Sequence, residues 1–163
     1  MAPAFSIHVA KENLKFSAAH FIAYPGFREP LHGHNYQVGV RLEGNLSATG
    51  YVLDFGLIKR LTKEIVDRLD SHTLIPRDSD CLKIEERPGV VTVRYESAEF
   101  VLPSSDVCLL PIVHTSAEEL ARYIAQELHS ALERHGAAGE IEAMEISVAE
   151  GPGQTASYRE NLR

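Results

Sequence analysis

The stretch HGHNYQVGVRLEG, residues 32–44, decides how the rest of the chain is read. His34, Tyr36, Val38, Val40 and Leu42 fall on one parity, the period of a strand with one buried face. His32 shares that parity, so the strand opens with two imidazoles on one side, ~6.6 Å apart along it. Gly33 between them is small enough for another backbone to approach closely. Upstream, Phe5, Ile7 and Val9 alternate with polar residues, and the alternation resumes at Leu14, Phe16, Ala18 and His20. Residues 5–22 therefore read as one bent strand or as a hairpin hinged at Glu12-Asn13. His20 closes this run on its apolar parity, and the loop Tyr24 to Pro30, rich in turn formers, is short enough to set it beside His32 and His34. Three neutral imidazoles with a fourth position open form the arrangement of a catalytic zinc. On the residues alone, a polar strand end with a hydrogen-bonded core histidine stays open as the alternative. A cupin site is excluded, because its carboxylate would fall at Val38 or Gly39.

Beyond the strand, Gly44 to Gly50 is a turn, and Asp54 predicts an N-cap for a helix over 55–69 with Leu57, Ile58, Leu61, Ile65 and Leu69 on one face. Residues 81–102 predict a charged, exposed hairpin turning at Arg87-Pro88-Gly89. Ser116 and Glu119 make a capping box for a second helix, through Leu120, Ile124, Leu128 and Leu132, which Gly136 ends. Residues 140–150 alternate again, with Met144, Ile146 and Val148 on one face. The order of elements predicts an α+β domain, an antiparallel sheet with two helices on one face.

At 163 residues the chain has the length of one domain, 1–163, with the hairpin as an elaboration. Its net charge of -7 is poor equipment for holding nucleic acid or an anionic membrane. Cys81 and Cys108 lack metal-ligand spacing and are too few for a disulfide framework. No apolar run approaches a membrane span, and MAPAFSIHVAKENLKF at the N-terminus has no leader pattern, which makes the cytoplasm the expected compartment.

Taken together, FSAAH (16–20), LHGHNY (31–36), GYVLDF (50–55), LDSHTLIP (69–76), TSAEELARYI (115–124) and VAEGPGQTASY (148–158) resemble the 6-pyruvoyl-tetrahydropterin and 6-carboxy-tetrahydropterin synthases over nearly the whole chain. The resemblance implies a tunnelling fold (T-fold) that assembles into trimers and face-to-face homohexamers. It implies zinc on His20, His32 and His34, and a dihydropterin substrate held by Glu150 at the end of the last strand, with Ser116 and Glu118 beside it. Independently, Glu150 shares the parity of Met144, Ile146 and Val148, and a carboxylate suits the paired N–H edge of a pterin.

The chain departs from the family at the proton-transfer set. The synthases place a cysteine shortly before HGH, and residues 24–31 contain none. The family's Asp-His pair is here Asp70, Ser71, His72, with the histidine one place late; on a helix that slip turns the side chain by ~100°. Glu29, in ExxHGH, resembles a subgroup in which glutamate replaces the cysteine and dihydroneopterin is cleaved to 6-hydroxymethyl-dihydropterin. Arg28 beside it opposes base chemistry if it points toward Glu29, and is free to meet a phosphate if it points away. The expected function is therefore a zinc-dependent pterin lyase with an altered proton-transfer step. The alternative is a homologue that binds a pterin-like ligand without the family's catalysis, with or without metal. The ordinary pyruvoyl reaction is not expected, for want of a thiol.

Overall fold

Alternating strands of opposite burial and two one-sided helices can bury their apolar faces only against each other, and they do so here. The computed structural model describes residues 5–163; residues 1–4, the start of the stretch read above for a leader, lie outside them. The spine is β5 (His32–Gly44), which pairs along one edge with β2 (Lys15–His20) and β1 (Phe5–Val9) and along the other with β11 (Ile141–Gly151). Both β1 and β2 are antiparallel to β5 on the same edge. Residues 5–20 are thus the bent strand rather than the hairpin, with residues 10–14 looped out and Leu14 N–H donating to Lys11 O at 2.9 Å.

The sheet is completed by β6 (His72–Pro76) and β10 (Val107–Leu110) beyond β2, and by β12 (Gln154–Asn161) beyond β11. The expected antiparallel sheet is therefore mostly so, with two parallel pairings, β2–β6 and β6–β10. The strand ending near Glu150 is also not the last one: Pro152-Gly153 turns the chain straight back into β12, with Gly153 at φ +78°.

Helix α1 (Phe55–Leu69) has the expected bounds, and Asp54 Oδ2 accepts from Leu57 N–H at 3.0 Å. Helix α2 (Ala117–Arg134) is capped by Ser116 Oγ, 3.3 Å from Glu119 N; the Glu119 carboxylate pairs with Arg122, so only half of the capping box forms. Both helices cover the face that bears Phe16, Tyr36, Val38, Leu42 and Ile146, all essentially fully buried. Each such side chain contributes roughly 1.5–3 kcal/mol of burial. Among the described residues no helix is long and apolar enough to cross a membrane.

The hairpin expected at 81–102 is present as β7 (Lys83–Arg87) and β8 (Val90–Tyr95), but β9 (Ala98–Pro103) extends it to three strands. Nor is it simply exposed. Val91, Val93 and Tyr95 are buried with Phe21, Ala23, Ile75 and Leu82 in a second cluster. Its charges lie on the other face and along β7, while the VVTVRY parity faces inward. The Glu96-Ser97 turn between β8 and β9 holds Glu96 at φ +50°, where a Cβ is unfavourable. Glu96→Gly is expected to raise stability by about 0.5–1 kcal/mol, read as a higher urea midpoint with unchanged slope.

Candidate active site and metal centre

The register of β2 on β5 sets His20 directly opposite His32, and Ala18 opposite His34. Their shared parity then brings three imidazoles to one point, with ring centroids 4.7–5.1 Å apart. One nitrogen from each of His20, His32 and His34 lies within 4.8 Å of the others. A Cβ on Gly33 would stand 3.1 Å from Ala18 O, so glycine is what lets the two strands close tightly at this point.

Hydrogen bonds orient the rings. His20 Nδ1 lies 2.8 Å from Thr115 O, and His32 Nδ1 lies 2.8 Å from Pro30 O. A carbonyl only accepts, so both Nδ1 atoms carry hydrogen and both Nε2 atoms present a lone pair. His20 Nε2 is buried and has no hydrogen-bond partner. Burial holds the His20 pKa below the usual histidine value, an effect that the bond to Thr115 O offsets only in part. A neutral imidazole with an orphaned, inward-facing lone pair is the form that binds a metal, and the three residues fit one.

Beside the triad is a cavity of about 350 Å³ lined by His20, His32, Glu29, Glu150, Ser116 and Glu118. Six of the nine residues expected from sequence therefore share one wall. A seventh, His34, lines the neighbouring cavity instead, although its Nε2 lies 4.0 Å from Glu150 Oε2. Glu150 sits where the β11–β12 ladder shifts register, between Ala149 and Gly151, at the end of the β11 run.

Glu29 follows a miniature hairpin, β3 (Ala23–Tyr24) and β4 (Phe27–Arg28), turned at Pro25-Gly26. Its N–H donates to Ile22 O at 2.9 Å, and its Oε2 accepts from Ile22 N–H at 2.9 Å, so backbone and carboxylate grip the same residue. Arg28 points away from that carboxylate: its Nη1 donates to Glu29 O at 2.7 Å and its guanidinium lies on aromatic rings.

Asp70 and His72 do not reach this cavity in the single chain. Asp70 is the C-cap of α1 with extended backbone, and its Oδ1 accepts from Ser17 N–H at 2.7 Å. Ser71 is left-handed at φ +61°, and His72 begins β6 with Nδ1 2.6 Å from Asp70 O. The helical rotation expected for a one-residue slip does not apply, because neither residue is in a helix. His72 lines a separate cavity of about 450 Å³ with Ser17, Gly33 and Asn35.

Tyr36 was read only as core. Its ring lies 6.0 Å from His20 and 5.5 Å from His34, and its buried hydroxyl has no partner. Burial, then Glu150 and Glu29, push its pKa well above the usual tyrosine value. The parity of His32, His34 and Tyr36 was the available signal. Thr115, which holds His20 through a backbone carbonyl, offers none. Cys81 and Cys108 are free, and neither lines the cavity.

The sequence model of 6-pyruvoyl tetrahydropterin synthase matches residues 8–161. The chain belongs to that family. A putative 6-carboxy-5,6,7,8-tetrahydropterin synthase of Methanocaldococcus jannaschii is 39% identical over 150 residues, 91% of each protein. The crystal structure of a Plasmodium vivax 6-pyruvoyl tetrahydropterin synthase superposes with a TM-score of 0.92 at 36% identity, over 97% of this chain and 98% of that one. Structures of the same parasite protein exist with a glutamate, described as a catalytic residue, changed to alanine and to cysteine. The Plasmodium falciparum synthase gives 0.89 at 37% identity, over 99% and 100% of the two chains. The architecture is thus the tunnelling fold. The expectation that the ordinary synthase reaction is closed to this chain finds no support here, since chains this similar carry the synthase name.

Proposed function

We propose that this chain is a zinc-dependent enzyme acting on the side chain of a dihydropterin such as dihydroneopterin or its triphosphate, with Glu29 as the proton acceptor. The observation that carries the reading is the single cavity on which Glu29, Glu150 and two histidines of the triad, His20 and His32, converge. Glu150 accepts two hydrogen bonds from the guanidine-like edge of the ring, and Ser116 and Glu118 flank it. That docking fixes which substrate atoms meet Glu29. Its carboxylate takes the side-chain proton, a step a positioned base accelerates by ~10²–10⁴. Zinc on His20, His32 and His34 supplies Lewis-acid polarisation of oxygen when bound. Asp70 and His72 join the set only from a neighbouring subunit of the homohexamer, because within one chain neither lines the Glu29 cavity: His72 faces a different one and Asp70 is held by Ser17 N–H.

Product analysis with dihydroneopterin and with its triphosphate tests the reading. Loss of triphosphate with the carbon skeleton kept marks the pyruvoyl synthase reaction; loss of two side-chain carbons marks cleavage, and the mass of the remaining group separates a 6-hydroxymethyl from a 6-carboxy product. No turnover of either substrate by zinc-loaded protein overturns the enzymatic reading, and pterin binding without turnover would instead favour the non-catalytic homologue. For the pocket itself, saturating dihydropterin is expected to raise Tm, since a ligand at ~100 times its Kd adds about 2.7 kcal/mol. Glu150→Ala is expected to weaken binding about 10–100-fold by removing charged hydrogen bonds. An undiminished Tm shift in that variant rejects Glu150 as the ring acceptor.

A further inference from the structure

We propose that the small sheet of residues 83–103 positions Glu29, with Phe100 and Arg28 as the positioning residues. This rests on the reading of Glu29 as the base. Three consecutive residues at the end of β2 connect the parts. His20 enters the histidine triad, Ile22 holds Glu29 through its own N–H and C=O, and Phe21 between them points the opposite way. Phe21 is 2% exposed because the small sheet covers it. Its ring stacks on Phe100 of β9, with centroids 4.8 Å apart and planes 20° from parallel.

Arg28 closes the arrangement. Its Cζ lies 5.3 Å from the Phe100 ring centre and 5.9 Å from that of Phe21, within the reach of a cation on an aromatic face. From there Nη1 donates to the Glu29 carbonyl, so the cation holds the backbone of Glu29 rather than its carboxylate. A second tie comes from β8, where the Tyr95 hydroxyl donates to Tyr24 O at 2.9 Å. At the tip of the loop, Tyr24 and Phe27 stack on each other at 4.9 Å, and both are exposed. Ahead of Glu29, its described anchors therefore lie on the Ile22 backbone and on the small sheet, and beyond it Pro30 O accepts from His32 Nδ1. A base displaced by ~1 Å loses about 10²-fold in rate, so a sheet distant from the substrate can still set the turnover number.

The test compares Phe100→Ala, Phe100→Tyr, Arg28→Ala and Arg28→Lys in the zinc-loaded full chain. The two alanine variants are expected to lose about tenfold or more in kcat with KM and zinc content little changed, as for a base held out of place. Phe100→Tyr restores the stack and Arg28→Lys restores a cation with a donor, and both are expected to recover most of the loss. Amide exchange supplies a readout that needs no turnover. The Ile22 and Glu29 amides are expected to exchange faster in both alanine variants, while that of Leu57, held by Asp54, does not change. Wild-type kcat in both alanine variants, or unchanged exchange at Ile22 and Glu29, overturns the proposal. If Glu29→Ala itself turns over like wild type, the base reading fails separately, and exchange alone decides the positioning role. Should Phe100→Ala not fold, Arg28→Ala carries the same comparison.

Discussion

Glu29→Gln is expected to cut turnover of the dihydropterin substrate by about 10²–10⁴ while leaving pterin binding intact. The substitution keeps the shape of the side chain and an oxygen that can accept from Ile22 N–H, as Oε2 does at 2.9 Å. What it removes is the ability to take a proton. Glu29→Ala goes further, stripping the Ile22 N–H of its acceptor, so its loop should also loosen. The two variants therefore separate chemistry from placement: Gln loses kcat alone, and Ala loses kcat together with amide protection at Ile22. Because Glu150 and Ser116 lie on other strands and helices, the pterin-induced rise in Tm should survive in both. A Glu29→Gln enzyme with wild-type kcat would falsify the assignment outright.

The second large effect concerns the metal. Purified wild-type protein is expected to carry about one zinc per chain, and His32→Ala to carry none, because three ligands is the minimum a catalytic zinc site retains. Chelation of the wild type should lower Tm, since a metal that binds only the folded chain at ~1,000 times its Kd adds about 4 kcal/mol. Chelator should leave the Tm of His32→Ala where it was. His20→Ala is expected to be worse folded than His32→Ala, for a reason visible in burial. His20 is 2% exposed, and its loss leaves a void and an unpaired Thr115 carbonyl, whereas His32 sits at the strand's open end. Zinc-replete wild-type protein that analyses empty, by elemental analysis and by an unmoved Tm, rejects the metal reading.

What was legible in the sequence followed the physics of one-sided burial. Helix α1 starts where Asp54 caps it and keeps its apolar period to Leu69, so both ends could be read. The histidine triad was legible because strand parity and a direct cross-strand register are local rules, and Glu150 because its parity matches the core side of β11. Strands β6 and β10 were missed. Leu74, Ile75 and Pro76 are all buried, on both faces, so the period of two that marks a strand is absent there. Strand β12 escaped for the opposite reason, being polar at most positions, with only Ala156 and Tyr158 packed on the core. Asp70 and His72 were placed by a helical rule in a segment that is a cap and a left-handed residue. Their side chains answer to Ser17 and the Asp70 carbonyl instead.

The pairing of β2 with β5 has a further consequence, in the order of folding events. All three histidines of the triad lie on one short antiparallel pair closed by the loop 21–31, whereas Glu150 comes from the far end of the chain. Local strand pairs close quickly and distant ones slowly, because loop-closure entropy must be overcome before the contacts form. The triad can therefore assemble in a nascent chain before the C-terminal strands dock. A metal captured at that stage would also lock the strand register, since a one-residue slip turns His20 away from His32 and His34.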